Sequence, residues 1–490
     1  MRHSLKYNFA LNVANTVVGL LFPLITFPYV SRVLEPDGIG LVQYFQSIIA
    51  YISLLCTLGI PIYAIREVAR HQHDTISRNK LTIEILLLHL LLSVVGYIIV
   101  AVLFLLADSI SANTTLFLIL SISIFLNTIG AIWFFQAIED FTYITVRSLL
   151  VRVASAILLF TMVKSSNDVI PYAIITVAAD AGNNIFNVFR LRKFIRHTHI
   201  PISELNLKRH LIPALRVFIL NLITSIYINL DSVMLGAIST DSAVGYYTAA
   251  TRITKAILGI VTALGVTLLP RLSGFLANGK LSEFHSTEKK ALDFTILMTI
   301  PLTAGLILVA PQLIPVFSGD AYTPAILTLQ IIAPTILFIG ISTVVGMQIL
   351  YSQGKEHLVI IATACGALVN LCLNIWLIPQ LAQNGAAYGT VVAEFTVTLV
   401  MLIIGRKYIH YKFLRHKNLY LTLLFTAISL IGGYYAVSMA SLSLFKHLLL
   451  QISVSVCLYL LLLIISRNEF AISLISSTRK HLRFHTRKIT

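Results

Sequence analysis

The stretch TIEILLLHLLLSVVGYIIVAVLFLLA at residues 82–107 indicates the fold class, because Glu84 is the only Asp, Glu, Lys or Arg among its 26 residues. A helix of about 20 mainly apolar residues is long enough to cross a bilayer. Comparable stretches follow one another along all 490 residues, with a mean hydropathy of +0.87 and only 11% charged residues. The sequence therefore predicts an all-α integral membrane protein.

We predict about fourteen membrane spans, an even number. They lie at residues 8–30, 39–64, 82–107, 115–138, 145–163, 169–190, 211–236, 245–270, 290–317, 324–350, 357–378, 385–404, 419–440 and 446–465. The gaps between them are too short for a soluble domain, so any function is expected among the helices.

Basic residues predict the orientation of the chain. Of the 36 Lys and Arg residues, 29 fall on one side of the predicted membrane, 3 on the other side and 4 inside spans. Positive charge stays in the cytoplasm. We therefore expect a multi-pass membrane protein with both termini in the cytoplasm. The net charge of +16 is explained by topology and by lipid headgroups, and no nucleic acid partner is expected.

Several kinds of site are not predicted. The four cysteines lie inside predicted spans without CxxC spacing, so the sequence predicts neither a disulfide nor a metal site. A phosphate-binding glycine loop is also missing, which excludes a built-in ATPase. We expect no cofactor and no enzymatic activity.

A weak internal repeat is offset by about 205 residues. The segment Val30–Gly40 and the segment Leu235–Gly245 both read as the end of a span, a short acidic turn and a glycine that opens the next span. An internal duplication would give a six-helix lobe at 1–205, a second lobe at 206–404, an added helix pair at 405–466 and a basic tail at 467–490. Chance similarity between two helical hairpins is the alternative.

Polar residues inside spans are the main indicators of a functional site, because a charge at the bilayer centre costs about 2.5–3.5 kcal/mol on insertion scales. Asp180, Lys255 and Glu394 lie about 15 Å into their spans, near the midplane. Arg252 is one turn from Lys255 on the same helical face. Glu84 is close to a span end, where exposure to headgroups is expected.

Other polar residues have two interpretations. Asparagines recur on one helical face in several spans, and they either hydrate a cavity or bond neighbouring helices together. Arg152 and Arg216 either line a cavity or extend toward the membrane surface. Asp231 and Arg252 either form a structural ion pair or serve a substrate. The asparagines in question are Asn12, Asn15, Asn221 and Asn229.

Short segments in order along the chain carry a family resemblance. They are RVLEPDGIG at 32–40, GIPIYAIRE at 59–67, WFFQAIE at 133–139, NLDSVMLG at 229–236, QILYSQGK at 348–355 and NGAAY at 384–388. Together they resemble polysaccharide exporters of the O-antigen flippase (Wzx-like) type, in the multidrug/oligosaccharidyl-lipid/polysaccharide exporter superfamily. The resemblance implies two six-helix lobes in a V around a central cavity. The two extra C-terminal helices resemble those of lipid II flippases instead.

The resemblance implies a flippase of the bacterial inner membrane that moves undecaprenyl-pyrophosphate-linked oligosaccharide units from the cytoplasmic to the periplasmic leaflet by alternating access. Coupling to a proton or sodium gradient is a further hypothesis, because Asp180 and Glu394 lie deep enough in their spans to sense it. Candidate cargo residues are Arg252, Lys255, Arg216, Arg152, Arg32, Arg66, Asn12, Asn15, Asn221 and Asn229, and candidate ion-coupling residues are Asp180, Glu394 and Asp231. Membrane lipids and the polymerase and ligase of the same glycan pathway are the expected partners. The alternatives are a multidrug or cation antiporter, a lipid II flippase and a membrane glycan polymerase.

Overall fold

The computed structural model describes residues 5–196, 200–410, 417–438 and 443–466, and the predicted basic tail at 467–490 lies outside them. Within those ranges the chain is helical and contains no β-strand. The α-helices are α1 (Leu5–Thr57), α2 (Ile60–Arg70), α3 (Thr75–Leu106), α4 (Asp108–Ala112), α5 (Thr114–Gly130), α6 (Ile132–Ala137), α7 (Phe141–Met162), α8 (Val169–Val177), α9 (Asn184–Ile195), α10 (Lys208–Ile238), α11 (Asp241–Ala277), α12 (Leu281–Ser318), α13 (Ala325–Ile332), α14 (Thr335–Thr343), α15 (Glu356–Ile404), α16 (Lys417–Ser438) and α17 (Leu444–Ile465). Two π-helical turns, Ala178–Gly182 and Val344–Leu350, join α8 to α9 and extend α14.

Ten helical stretches in the described residues are long and apolar enough to cross a membrane. Two of them, of 56 and 49 residues, are long enough to cross twice, and they contain the non-helical residues Glu35 (φ 57°) in α1 and Ala382 (φ 48°) in α15. Each of these two breaks divides one stretch into two helices. With α10 and α11 the total is fourteen long helical segments, which confirms the predicted all-helical membrane fold.

The structure divides into two compact units. Unit 1 comprises residues 1–248 and 370–386, and unit 2 comprises residues 249–369 and 387–490. The lobe boundaries that the sequence suggests at 205 and 404 stay a prediction.

In unit 1 the long helix α1 packs against α3, α5, α7 and α10. Helices α2 and α6 pack together around a buried aromatic cluster that includes Tyr63, Trp133, Phe134 and Phe135. The WFF sequence follows Ala131, which adopts a left-handed conformation between α5 and α6. After this break, the three consecutive side chains of Trp133, Phe134 and Phe135 are all buried in the core of the unit.

In unit 2 the helix α12 packs against α13, α14, α16 and α17. The hydroxyl of Tyr459 on α17 donates to the carbonyl of Leu297 on α12 at 2.8 Å. Gly433 and Ser455 bring α16 and α17 close together, since a Cβ atom on Gly433 would lie 2.1 Å from Ser455 Oγ. Small residues allow such close packing of helices in a membrane.

The prediction that Glu84 contacts lipid headgroups is wrong. Its side chain is 0% exposed, and it forms an ion pair with Arg209 and a 2.8 Å contact with His210 Nε2. Its other oxygen accepts the backbone N–H of Asn206 at 2.9 Å. Hydropathy places a carboxylate along a helix but cannot show which distant segment folds over it.

Unit 2 contains a similar backbone contact at Glu288. This buried carboxylate accepts the backbone N–H of His410 at 2.9 Å, and donor and acceptor are 122 residues apart in both units. Glu84 and Glu288 are themselves 204 residues apart, close to the offset of the sequence repeat. The match favours an internal duplication.

Candidate functional site

A polar cavity of about 400 Å³ lies inside unit 1. Asp180 and Asn229 both line it, together with Gln43, Ser47 and Asn127. Asp180 is carried by the π-helical turn between α8 and α9, and its side chain is exposed toward this space. Such turns are often found at functional sites because they redirect side chains out of the regular helical face. The structure thus brings together one predicted carboxylate and one predicted asparagine.

Arg152 extends from α7 toward the first part of α1. Its Nη1 atom donates to the carbonyl of Asn15 at 3.3 Å, and a Cβ atom on Gly19 would lie 3.3 Å from the guanidinium. Asp180 interacts with Arg152 electrostatically. The side chain is half-buried among helices. The guanidinium therefore contacts α1, and the choice between the two interpretations of Arg152 stays a prediction.

Asp231 is the centre of a buried hydrogen-bond cluster in unit 1. The carboxylate is 5% exposed and accepts Nδ2 of Asn370 at 3.1 Å and Nδ2 of Asn374 at 2.6 Å. The hydroxyl of Tyr247 donates to its second oxygen. Among the described residues, Oδ1 of Asn374 is buried without a hydrogen-bond partner. A carboxylate and amide oxygens in one buried place are ligands that hard cations accept.

The remaining predicted cations of unit 1 lie at separate places. Arg32 is exposed and donates to the carbonyl of Pro28 in its own helix. Arg66 is exposed and lies 3.4 Å from the carboxylate of Glu67. Arg216 is exposed on α10. The side chains of Asn12 and Asn221 lie outside the part of the chain that the structure describes.

Three predicted residues lie in unit 2. Arg252 is half-buried and Lys255 is exposed, and they follow one another by one turn of α11. Glu394 is buried on α15, where its backbone carbonyl accepts Thr398 Oγ1 at 2.9 Å. The predicted pair on one helical face is therefore present, although its role stays a prediction.

Sequence reasoning missed the pair Arg147 and Arg190 in unit 1. Arg190 Nη2 lies 2.6 Å from the carboxylate of Asp140, and both guanidiniums lie near the ring of Tyr143, at 4.1 Å for Arg190 and 5.1 Å for Arg147. Both arginines are close to predicted span ends, where the orientation of the chain in the membrane is sufficient to explain a basic residue. Only the burial of Arg147, which is 6% exposed, distinguishes it from a surface residue.

One group in unit 2 could hold a metal ion. His285, Glu288 and His410 bring one ligand atom each to within 4.8 Å of one another, and the two imidazole centroids are 4.0 Å apart. His410 lies 122 residues after Glu288, so a search for short metal-ligand spacings does not find this group.

Comparison with known proteins assigns the family. The model of the family described as "Polysaccharide biosynthesis protein" matches residues 5–276, more than half of the chain, and a model described as MatE matches residues 217–376. A protein of Escherichia coli (strain K12) named "Putative O-antigen transporter" is 26% identical over 390 residues, which cover 79% of this chain and 93% of that protein. A similarly named protein of Shigella dysenteriae is 26% identical over 385 residues, covering 78% and 95%.

Two solved structures share the fold. The lipid II flippase MurJ in an inward closed conformation superposes with a TM-score of 0.70 at 16% identity, covering 94% of this chain and 100% of that chain. An inward-facing multidrug resistance transporter of the MATE family superposes with a TM-score of 0.65 at 15% identity, covering 79% and 94%. The chain therefore belongs to the polysaccharide biosynthesis protein family, and it is a membrane transporter related to O-antigen and polysaccharide flippases.

Proposed function

We propose that the protein is a flippase for undecaprenyl-pyrophosphate-linked oligosaccharide units, which it moves from the cytoplasmic to the periplasmic leaflet of the bacterial inner membrane by alternating access. Both termini lie in the cytoplasm in this proposal. The observation that carries it is the set of cations inside apolar helices, in a chain that is similar over most of its length to a protein named for O-antigen transport.

The chemistry of the cargo fits those cations. A pyrophosphate carries at least two negative charges and is held best by charge-assisted hydrogen bonds. Arg252 offers a bidentate guanidinium and Lys255 a point charge on the same face of α11. A charge inside a span costs about 2.5–3.5 kcal/mol on insertion scales, and an anionic cargo offsets that cost. Arg152, Arg216, Arg32 and Arg66 are proposed as further contacts along the path.

Polar side chains without charge would hydrate the glycan. Asn229 lines the polar cavity of unit 1, and Asn15 lies beside the Arg152 guanidinium. Asn12 and Asn221 are proposed for the same role. Sugar hydroxyls both donate and accept, so amide side chains, which also do both, are suitable partners.

Ion coupling is proposed at the carboxylates inside the predicted spans. Asp231 is favoured because two asparagine amides and a tyrosine hydroxyl surround it. If the side-chain amides of the two asparagines rotate by half a turn, their carbonyl oxygens face Asp231 in place of their NH₂ groups. The cluster then offers oxygen ligands to a cation. Asp180 and Glu394 are the other candidates. Polymerase and ligase of the same glycan pathway are proposed as partners.

Complementation of a bacterial strain that lacks its O-antigen flippase tests the proposal. We expect the wild-type chain to restore surface glycan and the double variant Arg252→Ala with Lys255→Ala to fail while still inserting. The control Arg271→Ala with Lys280→Ala removes the same charge from exposed positions and should export normally. Normal export by the first variant would remove the proposed cargo site.

A lipid II flippase is the second candidate, because the full length of MurJ superposes on this chain. Rescue of a strain depleted of its lipid II flippase, without rescue of surface glycan, would replace the first proposal by this one. Drug resistance without either rescue would favour the multidrug antiporter instead.

A further inference from the structure

A second cavity of unit 1, of about 1140 Å³, lies beside the first turns of α7. None of the residues proposed above for cargo or ion binding lines it. It follows the short turn between α6 and α7, which the distribution of basic residues predicts to face the cytoplasm. Phosphate groups of membrane lipids lie at this depth, at the boundary between water and hydrocarbon.

This cavity contains several buried donors. Arg147 is more than nine-tenths buried, and within the described ranges its Nε and Nη1 atoms have no hydrogen-bond partner. The same holds for Nε of Arg190, the hydroxyl of Tyr143 and the hydroxyl of Thr142. All four side chains line the cavity. Buried donors without acceptors cost free energy, and charged ones cost the most.

An anion of the right size would satisfy these groups. The only described carboxylate in hydrogen-bond contact with them is Asp140, which is 2.6 Å from Arg190 Nη2. The guanidinium of Arg147 lies beside the ring of Tyr143, and the Asp140 carboxylate accepts its hydrogen bond from Arg190 instead. Guanidiniums match the oxygen spacing of phosphate in a bidentate geometry, whereas a smaller halide would satisfy fewer donors.

Apolar side chains also line the cavity. Val146, Leu150 and Phe186 are among them, and all three are more than half exposed. On a helix that crosses the membrane, such side chains contact hydrocarbon. A ligand in this cavity therefore meets both cations and apolar surface.

We propose that Arg147 and Arg190, with Tyr143 and Thr142, form a binding site for a lipid phosphate, with the phosphate at the two guanidiniums and the hydrocarbon tail along α7. An anionic phospholipid of the bilayer and a polyprenyl phosphate present the same chemistry to this site. The proposal does not depend on the transport function proposed above.

Native mass spectrometry of the full chain released from detergent micelles tests this site. The probes are phosphatidylglycerol, undecaprenyl phosphate and, as lipids without phosphate, diacylglycerol and undecaprenol. We expect one phosphate-bearing lipid to be retained, and Arg147→Gln to weaken its retention by at least about tenfold. Arg192→Gln, at an exposed position on the same helix as Arg190, should retain it like the wild type.

The variants separate binding from folding. Arg147→Lys keeps the charge but loses the planar fork, so we expect intermediate retention at an unchanged melting temperature. If Arg147→Gln does not insert, Arg190→Gln and Leu150→Trp, which blocks the apolar surface, give the same comparison. Preferential retention of either probe identifies the source of the phosphate. Equal retention of the lipids without phosphate overturns the proposal. So does unchanged retention of the phosphate-bearing lipid in Arg147→Gln or, where that variant does not insert, in both Arg190→Gln and Leu150→Trp.

Discussion

Gly40 and Gly245 occupy equivalent positions in two helix–turn–helix segments, and each packs against the backbone of the other segment. A Cβ atom on Gly40 would lie 1.7 Å from the carbonyl oxygen of Asp241, and one on Gly245 would lie 2.2 Å from the carbonyl oxygen of Pro36. The two glycines are 205 residues apart. A reciprocal contact of this kind is expected of two copies of one motif that face each other.

The turns beside these glycines make a matching polar contact. Ser242 Oγ donates to the carboxylate of Asp37, and these residues are also 205 positions apart. With the paired Glu84 and Glu288 contacts, two separate regions of the chain share nearly the same offset. Together they favour internal duplication over chance similarity of two hairpins.

We expect Gly40→Ala and Gly245→Ala each to lower the free energy of unfolding by about 1–3 kcal/mol, the usual cost of overpacking. The added methyl group would meet backbone atoms, which cannot rotate away. Thermal unfolding of the purified protein in detergent measures the effect. Gly274→Ala is the control, because nothing lies within 4 Å of its added Cβ atom. Equal stability of all three variants would contradict the close packing.

We expect Glu84→Ala to destabilise the protein by about 3–5 kcal/mol, because it leaves Arg209 and the buried His210 without their acceptor. Chemical unfolding in mixed micelles would measure the loss. Glu283→Ala removes one partner of an exposed pair, 4.0 Å from Lys280, and should cost at most about 1 kcal/mol. A loss at Glu84 no larger than at Glu283 would show that the buried contact contributes little.

The turn at Asp241 should respond to pH. Burial raises the pKa of the Asp241 carboxyl above its usual 3.8, and the nearby Asp37 carboxylate raises it further. The folded state then holds this proton more tightly than the unfolded state, so stability falls as pH rises from the unfolded pKa through the folded one. Above the folded-state pKa, stability is lowered by the full free-energy cost of ionising the Asp241 carboxyl in the folded protein.

Asp241→Asn should therefore raise the melting temperature at neutral pH and reduce its dependence on pH. Melting curves from about pH 4 to about pH 8 would measure both changes. Asp108→Asn, at an exposed position near another turn, is the control. A lower melting temperature for Asp241→Asn at neutral pH would show that the carboxylate is stabilising there.

Asp231→Asn should reduce transport driven by an ion gradient by at least about tenfold, if the buried cluster binds the coupling ion. The variant keeps the shape of the side chain but removes the charge that a cation needs. Uptake into vesicles under sodium or proton gradients would separate the two ions. Asp180→Asn and Glu394→Gln test the other two carboxylates, and Asp293→Asn is a control near a span end. Wild-type ion dependence in the three test variants would rule out coupling at these carboxylates.

The number of long apolar helices and the all-helical class follow from the amino-acid sequence alone. A bilayer has a fixed thickness and provides no water for backbone groups, so the length of an apolar run translates directly into a crossing. The sequence also located Gly40, Gly245 and Asp231 as residues of interest. These results depend on local properties of the chain, which hydropathy and short motifs express directly.

Which polar groups meet depends on the folded arrangement of the helices. Asn370 and Asn374 reach Asp231 across 139 and 143 residues, and Glu84 reaches Arg209 across 125. The burial of the Arg147 side chain is also visible only in the folded protein, because a position near a span end is equally compatible with exposure. A hydrogen bond or a desolvated charge depends on distances of a few ångströms between helices, and the apolar pattern that places each helix in the membrane does not contain that information.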